Sequence, residues 1–191
     1  MAPKSFHELA LAPIIFGLKN TAAILLKAQA HALTNNITPS SYLTARLYPD
    51  MGDLCYQVYR LTETAMYIVT RTNASAPALT FSDTEKTFPE LLARIDRTLA
   101  YVASIAPALL DEREDEQLVL HVAPKLPRGP LEIRFSAWQY VVTQGQPNFW
   151  FHVTTMYGIL RHQGVPLGKL DFSNGAGLVE MKWLGGEEET A

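Results

Sequence analysis

The sequence predicts an all-α domain: a bundle of four long helices with a short β-hairpin between the third and the fourth. Three observations carry this. Four capping patterns, at Ser5, Asp50, Thr87 and Ser136, each open an apolar run at helical period. Two short segments of alternating polarity, LVLHV and LEIRF, flank the turn-forming run PKLPRG. The chain's 191 residues, 48% of them hydrophobic, suffice for one domain with a core that needs no disulfide or metal to hold it.

The elements follow in chain order. Ser5-Phe6-His7-Glu8 is a capping box and opens a helix over 6–33. Its apolar stretch LALAPIIFGL follows His7 and Glu8, contains Pro13, and lacks the basic start and cleavage site of a signal peptide, so it reads as a core helix. No run reaches the ~20 apolar residues of a membrane span. NNITPSS, 35–41, stops this helix, and Thr38-Pro39 starts a short one before Arg46. The second long helix is expected over 51–72, with Asp50 as cap and Asp53 at the third position. NASAPALTFSD, 73–83, is a loop. Thr87 and Glu90 box the third helix, 87–105, with Pro89 in its first turn, where a missing N–H costs little. The run DEREDEQ, 111–117, is a solvated acidic stretch, and the hairpin follows over 117–135. Ser136 and Gln139 box the fourth helix, 137–163. Within it Pro147 removes an N–H and clashes with the carbonyl of Thr143, and Gly145 softens the same turn, so the helix should kink or restart there and open space beside Asn148. The Gly- and Glu-rich end sets the domain at 1–172 and a mobile tail at 173–191.

A net charge of −3 and a pI near 5.9 leave no footprint for nucleic acid or for an anionic membrane surface. The single cysteine, Cys55, reads as a small buried hydrophobe and fits a reducing, cytoplasmic setting. The chain has no G-x-S-x-G, P-loop, dinucleotide fingerprint, H-E-x-x-H or C-x-x-C, which argues against the hydrolase, kinase, redox and zinc-protease classes.

The chemistry-bearing stretch is Pro147–Gly168, PNFWFHVTTMYGILRHQGVPLG. Asn148, His152 and Thr155 fall at i, i+4 and i+7 and share one helical face, set among the rings of Phe149, Trp150, Phe151 and Tyr157. An imidazole and a carboxamide on consecutive turns can bind a ligand, move a proton, hold a metal, or pin two helices together.

The run NFWFHVTTMYGILRHQGVPLGKLDF, with RLYPDMGDLCYQV upstream, resembles a little-characterised branch of the DinB/YfiT-like superfamily. Its members occur in bacteria and fungi and are mostly known as domains of unknown function. The resemblance spans about Phe6 to Phe172 and implies a DinB-like bundle with up-down-down-up helices. In many members three histidines hold a divalent metal, one on the second helix and two at i, i+4 on the fourth. Carried onto this chain, His152 takes the second position of the fourth helix, Asn148 the first, and Gln57 the position on the second helix. Carboxamide oxygens are poor ligands for zinc or nickel beside imidazole nitrogen, so neither a bound metal nor any other cofactor is expected.

The expected function is that of a small-molecule tailoring enzyme of isomerase, dehydratase or cyclase type. Members in fungi suggest secondary metabolism as its setting. His152 would be the general acid/base, because an ordinary imidazole pKa of ~6.5 suits proton transfer at neutral pH. Gln57 and Asn148 would orient a carbonyl or hydroxyl, Trp150 would form an apolar wall, and Thr155 would complete the polar stripe. Tyr59, Tyr56 or Tyr157 would supply a second proton. Arg46, in ARLYPDM, would clamp an anionic group or pair with Asp50 or Asp171. The expected partners are a small-molecule substrate and a second copy in a homodimer. The alternatives are a non-catalytic ligand-binding or scaffold bundle, and a metal-dependent thiol transferase, against which the absent histidines count.

Overall fold

The computed structural model describes residues 4–122 and 129–182. Helix α1, Phe6–Thr34, opens where the Ser5 hydroxyl accepts the Glu8 N–H at 3.2 Å. By length and composition α1 could cross a membrane, but Leu11, Ile14, Leu18 and Leu25 are sealed inside the bundle. Pro13 sits in its interior and offers no N–H to the carbonyl of Leu9 four residues back. Gln146, from the far end of the chain, fills that gap: its Nε2 donates to the Leu9 carbonyl at 2.7 Å.

A short helix α2, Pro39–Leu43, follows the Thr38-Pro39 start. Helix α3 then runs Leu54–Thr72 and is capped by Asp53, whose carboxylate accepts the Tyr56 N–H at 2.9 Å. This corrects the expected start at 51 under an Asp50 cap. The turn before Asp53 is instead held by Arg46, which donates to the Met51 carbonyl at 2.6 Å and lies 3.5 Å from the Asp53 carboxylate. Helix α4, Phe88–Ala103, carries the full Thr87–Glu90 capping box and ends slightly short of the expected 105.

Strands β1, Gln117–Val122, and β2, Leu131–Ser136, pair antiparallel with Gln117 opposite Ser136 and Val122 opposite Leu131. The expected hairpin is present; residues 123–128, most of its PKLPRG turn, lie outside the described residues. Ser136 ends the strand and caps α5, Ala137–Tyr140, through the expected box with Gln139. The chain then makes one π turn, Val141–Gly145, with the Gln146 N–H reaching back to the Val141 carbonyl, and continues as α6, Gln146–His162. The disturbance expected at Pro147 is therefore a widened turn immediately before the proline, a common form for an insertion into a helix.

The long helices close a ring: α1 packs on α4 and α6, α3 packs on the same two, and α1 and α3 lie across the diagonal. Helix α7, Lys169–Asn174, was not expected and crosses the boundary set at 172. Asp171 accepts the Gly168 N–H at 2.6 Å and pairs with Lys27 of α1 at 2.9 Å. Beyond it, Asn174 exchanges two hydrogen bonds with Val179, and the Ala176 N–H donates to Asn20 Oδ1 at 2.9 Å. The chain is thus tied to the bundle past 172, and residues 183–191 of the expected tail lie outside the described residues.

Candidate functional site at the α3–α6 seam

The seam between α3 and α6 carries the polar stripe. Gln57 is buried in the first turn of α3, and its Nε2 donates to the Gly52 carbonyl at 2.9 Å. That bond turns Oε1 toward α6, where it lies 2.8 Å from Nδ1 of His152. An amide oxygen only accepts, so the proton of the neutral ring sits on Nδ1 and Nε2 carries a bare lone pair. Among the described residues Nε2 has no protein partner, and it is not among the sealed, unpartnered polar atoms.

Burial pulls the His152 imidazole down to about 4, and the nearby Arg60 charge acts in the same direction. The ring is therefore neutral at neutral pH, well away from the ordinary value expected of a proton shuttle. Its surroundings are aromatic: Phe151 stands edge-on at 5.2 Å and Tyr56 at 6.3 Å between centroids. Tyr56 in turn lies under the Arg60 guanidinium at 5.3 Å. A Cβ at Gly52 would fall 2.1 Å from the Tyr56 ring, so the glycine is what lets that ring lie down beside the site.

The other expected site residues are spread along and away from this pair. Asn148 sits one turn before His152, but its Nδ2 donates to Thr64 Oγ1 at 2.8 Å, so it is not bonded to Gln57 or His152. Trp150 and Thr155 line a separate, open and mainly apolar groove with Leu47 and Phe151. Thr155 spends its hydroxyl on the Phe151 carbonyl at 2.8 Å. Tyr59 faces the other way: it is buried, donates to the Glu85 carbonyl, and sits under Arg94 of α4 at 4.8 Å. Its side chain leaves the seam because position 59 lies on the α3 face that packs on α4. Tyr157 packs edge-on against Phe172 at 5.7 Å. Arg46 pairs with Asp53, not with Asp50 or Asp171, and serves the start of α3.

The sequence reading missed a second group. Arg60, Glu63, Thr64 and Arg71 of α3 share a cavity of about 110 Å³ with Tyr140 and Asn148, against the π turn. The signal was present: Gln57, Arg60, Thr64 and Arg71 recur at helical spacing on one face.

The donors at the seam do not fit a tightly held transition metal. Gln57 Oε1 is committed to His152, and one imidazole nitrogen with amide oxygens is a weak set. Among the described residues no three His, Cys, Asp or Glu side chains gather into a cluster able to hold a metal ion. Cys55 is buried and its thiol is pushed up to about 11, chiefly by that burial, so it is no nucleophile.

The crystal structure of a DinB family member protein from Shewanella denitrificans is similar to this chain, with a TM-score of 0.74 and 29% identity over 94% of this chain and 95% of that one. No curated protein matches. The bundle is DinB-like, and with residues 6–173 matching the family model DUF1993, a domain of unknown function, the chain belongs to that family.

Proposed function

We propose that the protein is a small-molecule tailoring enzyme in which Nε2 of His152 takes a proton from the substrate and returns it within the same turnover. The observation that supports this most is the Gln57–His152 hydrogen bond, because it fixes the tautomer that leaves Nε2 as acceptor. A ring with so low a pKa stores a proton poorly and gives it back readily. That favours an isomerisation, dehydration or cyclisation, where the proton is moved and not kept. An anionic substrate near Arg60 would offset that guanidinium and raise the basicity of the ring when it is needed. The second donor we assign is the phenol of Tyr56, whose ring meets the imidazole at a steep angle. We place the enzyme in the cytoplasm, as a homodimer, and in secondary metabolism.

A second reading, a bundle that binds a small molecule without turning it over, draws on the same hydrogen bond. It joins α3 to α6, and a histidine kept neutral by burial can serve binding alone. One experiment separates the two. The purified protein and its His152→Gln variant are incubated with a small-molecule cell extract, and the extract is followed by untargeted mass spectrometry. Turnover predicts a metabolite that falls and an isomer or dehydration product that rises with the native protein and not with the variant. No difference between the two, with both folded, would overturn the enzymatic reading.

A further inference from the structure

We infer that the cavity between α3 and the π turn is a binding site for a small monocarboxylate, with Arg71 as its anchor. The inference deepens the reading above by naming the substrate class, and it rests on that reading for where the reaction occurs.

The two guanidiniums at this cavity are in different states. Arg60 is already ion-paired, to Glu63 and to Asp83. Arg71 has no carboxylate partner among the described residues. It lies over the Tyr67 ring at 4.2 Å and 5.7 Å from the Tyr140 ring, and donates one hydrogen bond, to the Tyr140 hydroxyl at 3.1 Å. Ring faces thus orient a planar cation while leaving most of its five N–H donors unspent, the arrangement suited to a two-pronged bond with a carboxylate. Asn148, across the cavity, spends one amide hydrogen on Thr64 and keeps a second.

Charge and size narrow the ligand. Arg71 is the one guanidinium at the cavity without a carboxylate partner among the described residues, which matches a single carboxylate, and Glu63 and Asp83 beside Arg60 repel a second negative charge. A volume of about 110 Å³ is below the ~150 Å³ that accommodates benzene. It admits a carboxylate with a few carbons, or the carboxylate end of a longer molecule. Asn148 lies one turn, ~5–6 Å of rise, from His152 on α6. A substrate held by its carboxylate at Arg71 and Asn148 would extend along the stripe toward His152, with Arg60 between.

The test uses acetate and propanoate as probes, propanamide as the neutral counterpart and inorganic phosphate as the dianion. Binding is followed by NMR at the side-chain signals of Asn148 and Arg71. The expected result is saturable, weak binding of both carboxylates, with no saturation by propanamide and weaker binding of phosphate. Arg71→Gln should weaken the carboxylates at least tenfold and Asn148→Asp should weaken them also, while His152→Gln leaves them bound. The second variant keeps the test decisive if the first fails to fold. Equal binding of propanamide, tighter binding of phosphate, or carboxylate binding unchanged in both Arg71→Gln and Asn148→Asp would overturn the inference. If the carboxylates bind as expected but the His152→Gln protein still transforms the extract, the site stands and the role of His152 falls.

Discussion

Gln57 and His152, 95 residues apart, meet at 2.8 Å across the α3–α6 seam, and that contact decides which ring nitrogen faces outward. Gln57 is itself held by the Gly52 carbonyl, so the chain of control runs from a glycine turn before α3, through an amide, to an imidazole on α6. Replacing Gln57 by Leu should cost ~1–3 kcal/mol, because a buried ring N–H loses its acceptor. Chemical denaturation of the variant checks this; an unchanged midpoint would mean the contact does not hold the seam.

Stability should fall on mild acidification through His152. Its folded pKa lies below its unfolded value, so between ~6.5 and about 4 the unfolded chain takes up a proton that the folded chain refuses. The contribution is complete above the unfolded pKa and lost as pH falls toward the folded one. From neutrality to about pH 5 the loss should be on the order of 2 kcal/mol. Denaturation curves of the native protein and His152→Gln at both pH values isolate it, since the carboxylates common to both cancel. Equal pH slopes in the two proteins would contradict the assignment.

Pro13 and Gln146 should behave as a coupled pair. Gln146→Ala leaves the Leu9 carbonyl without the donor that Pro13 cannot supply, at a cost of ~0.5–1.5 kcal/mol. In a Pro13→Ala background the helix supplies its own N–H and the same change should cost less. A double-mutant cycle with no coupling energy would refute the compensation.

Arg94 is the main buried charge on the opposite side of α3. Its guanidinium is sealed, pairs with Asp83 at 2.9 Å and Glu85 at 3.1 Å, and donates to Thr62 at 2.7 Å. Arg94→Ala should cost ~1.5–3 kcal/mol, by leaving Glu85 without its cation and Asp83 with Arg60 alone. A thermal melt within a degree or two of the native protein would show that water replaces it.

The donor set at the seam predicts weak metal binding. Elemental analysis after dialysis against chelator should find far less than one equivalent of zinc, nickel or iron. A stoichiometric metal that survives chelator would return the thiol-transferase reading to consideration.

The legible part of this chain was the part written in local chemistry. Ser5, Thr87 and Ser136 signal their helices through hydrogen bonds made within a few residues, so those starts could be read directly. Asp50 and Asp53 offered two caps with the same spacing logic, and the choice fell to a tertiary contact, Arg46 across the turn. The juxtaposition of Gln57 with His152 came from the family pattern and not from spacing. The hydrogen-bond partners of Asn148 and Tyr59 were not legible, for one reason. Helical position gives a face, but the neighbouring segment decides the bond, and the partners were Thr64 for Asn148 and the Glu85 carbonyl for Tyr59. The Arg71 cavity went unread because it depends on the π turn, and Pro147 announced a disturbance without giving its form.

The most direct test is the protonation of the His152 ring, read from its ¹⁵N chemical shifts at neutral pH. The account predicts a neutral ring with the proton on Nδ1 and a bare Nε2, and loss of that preference in Gln57→Leu. A protonated Nε2, or a doubly protonated ring at neutral pH, would contradict it.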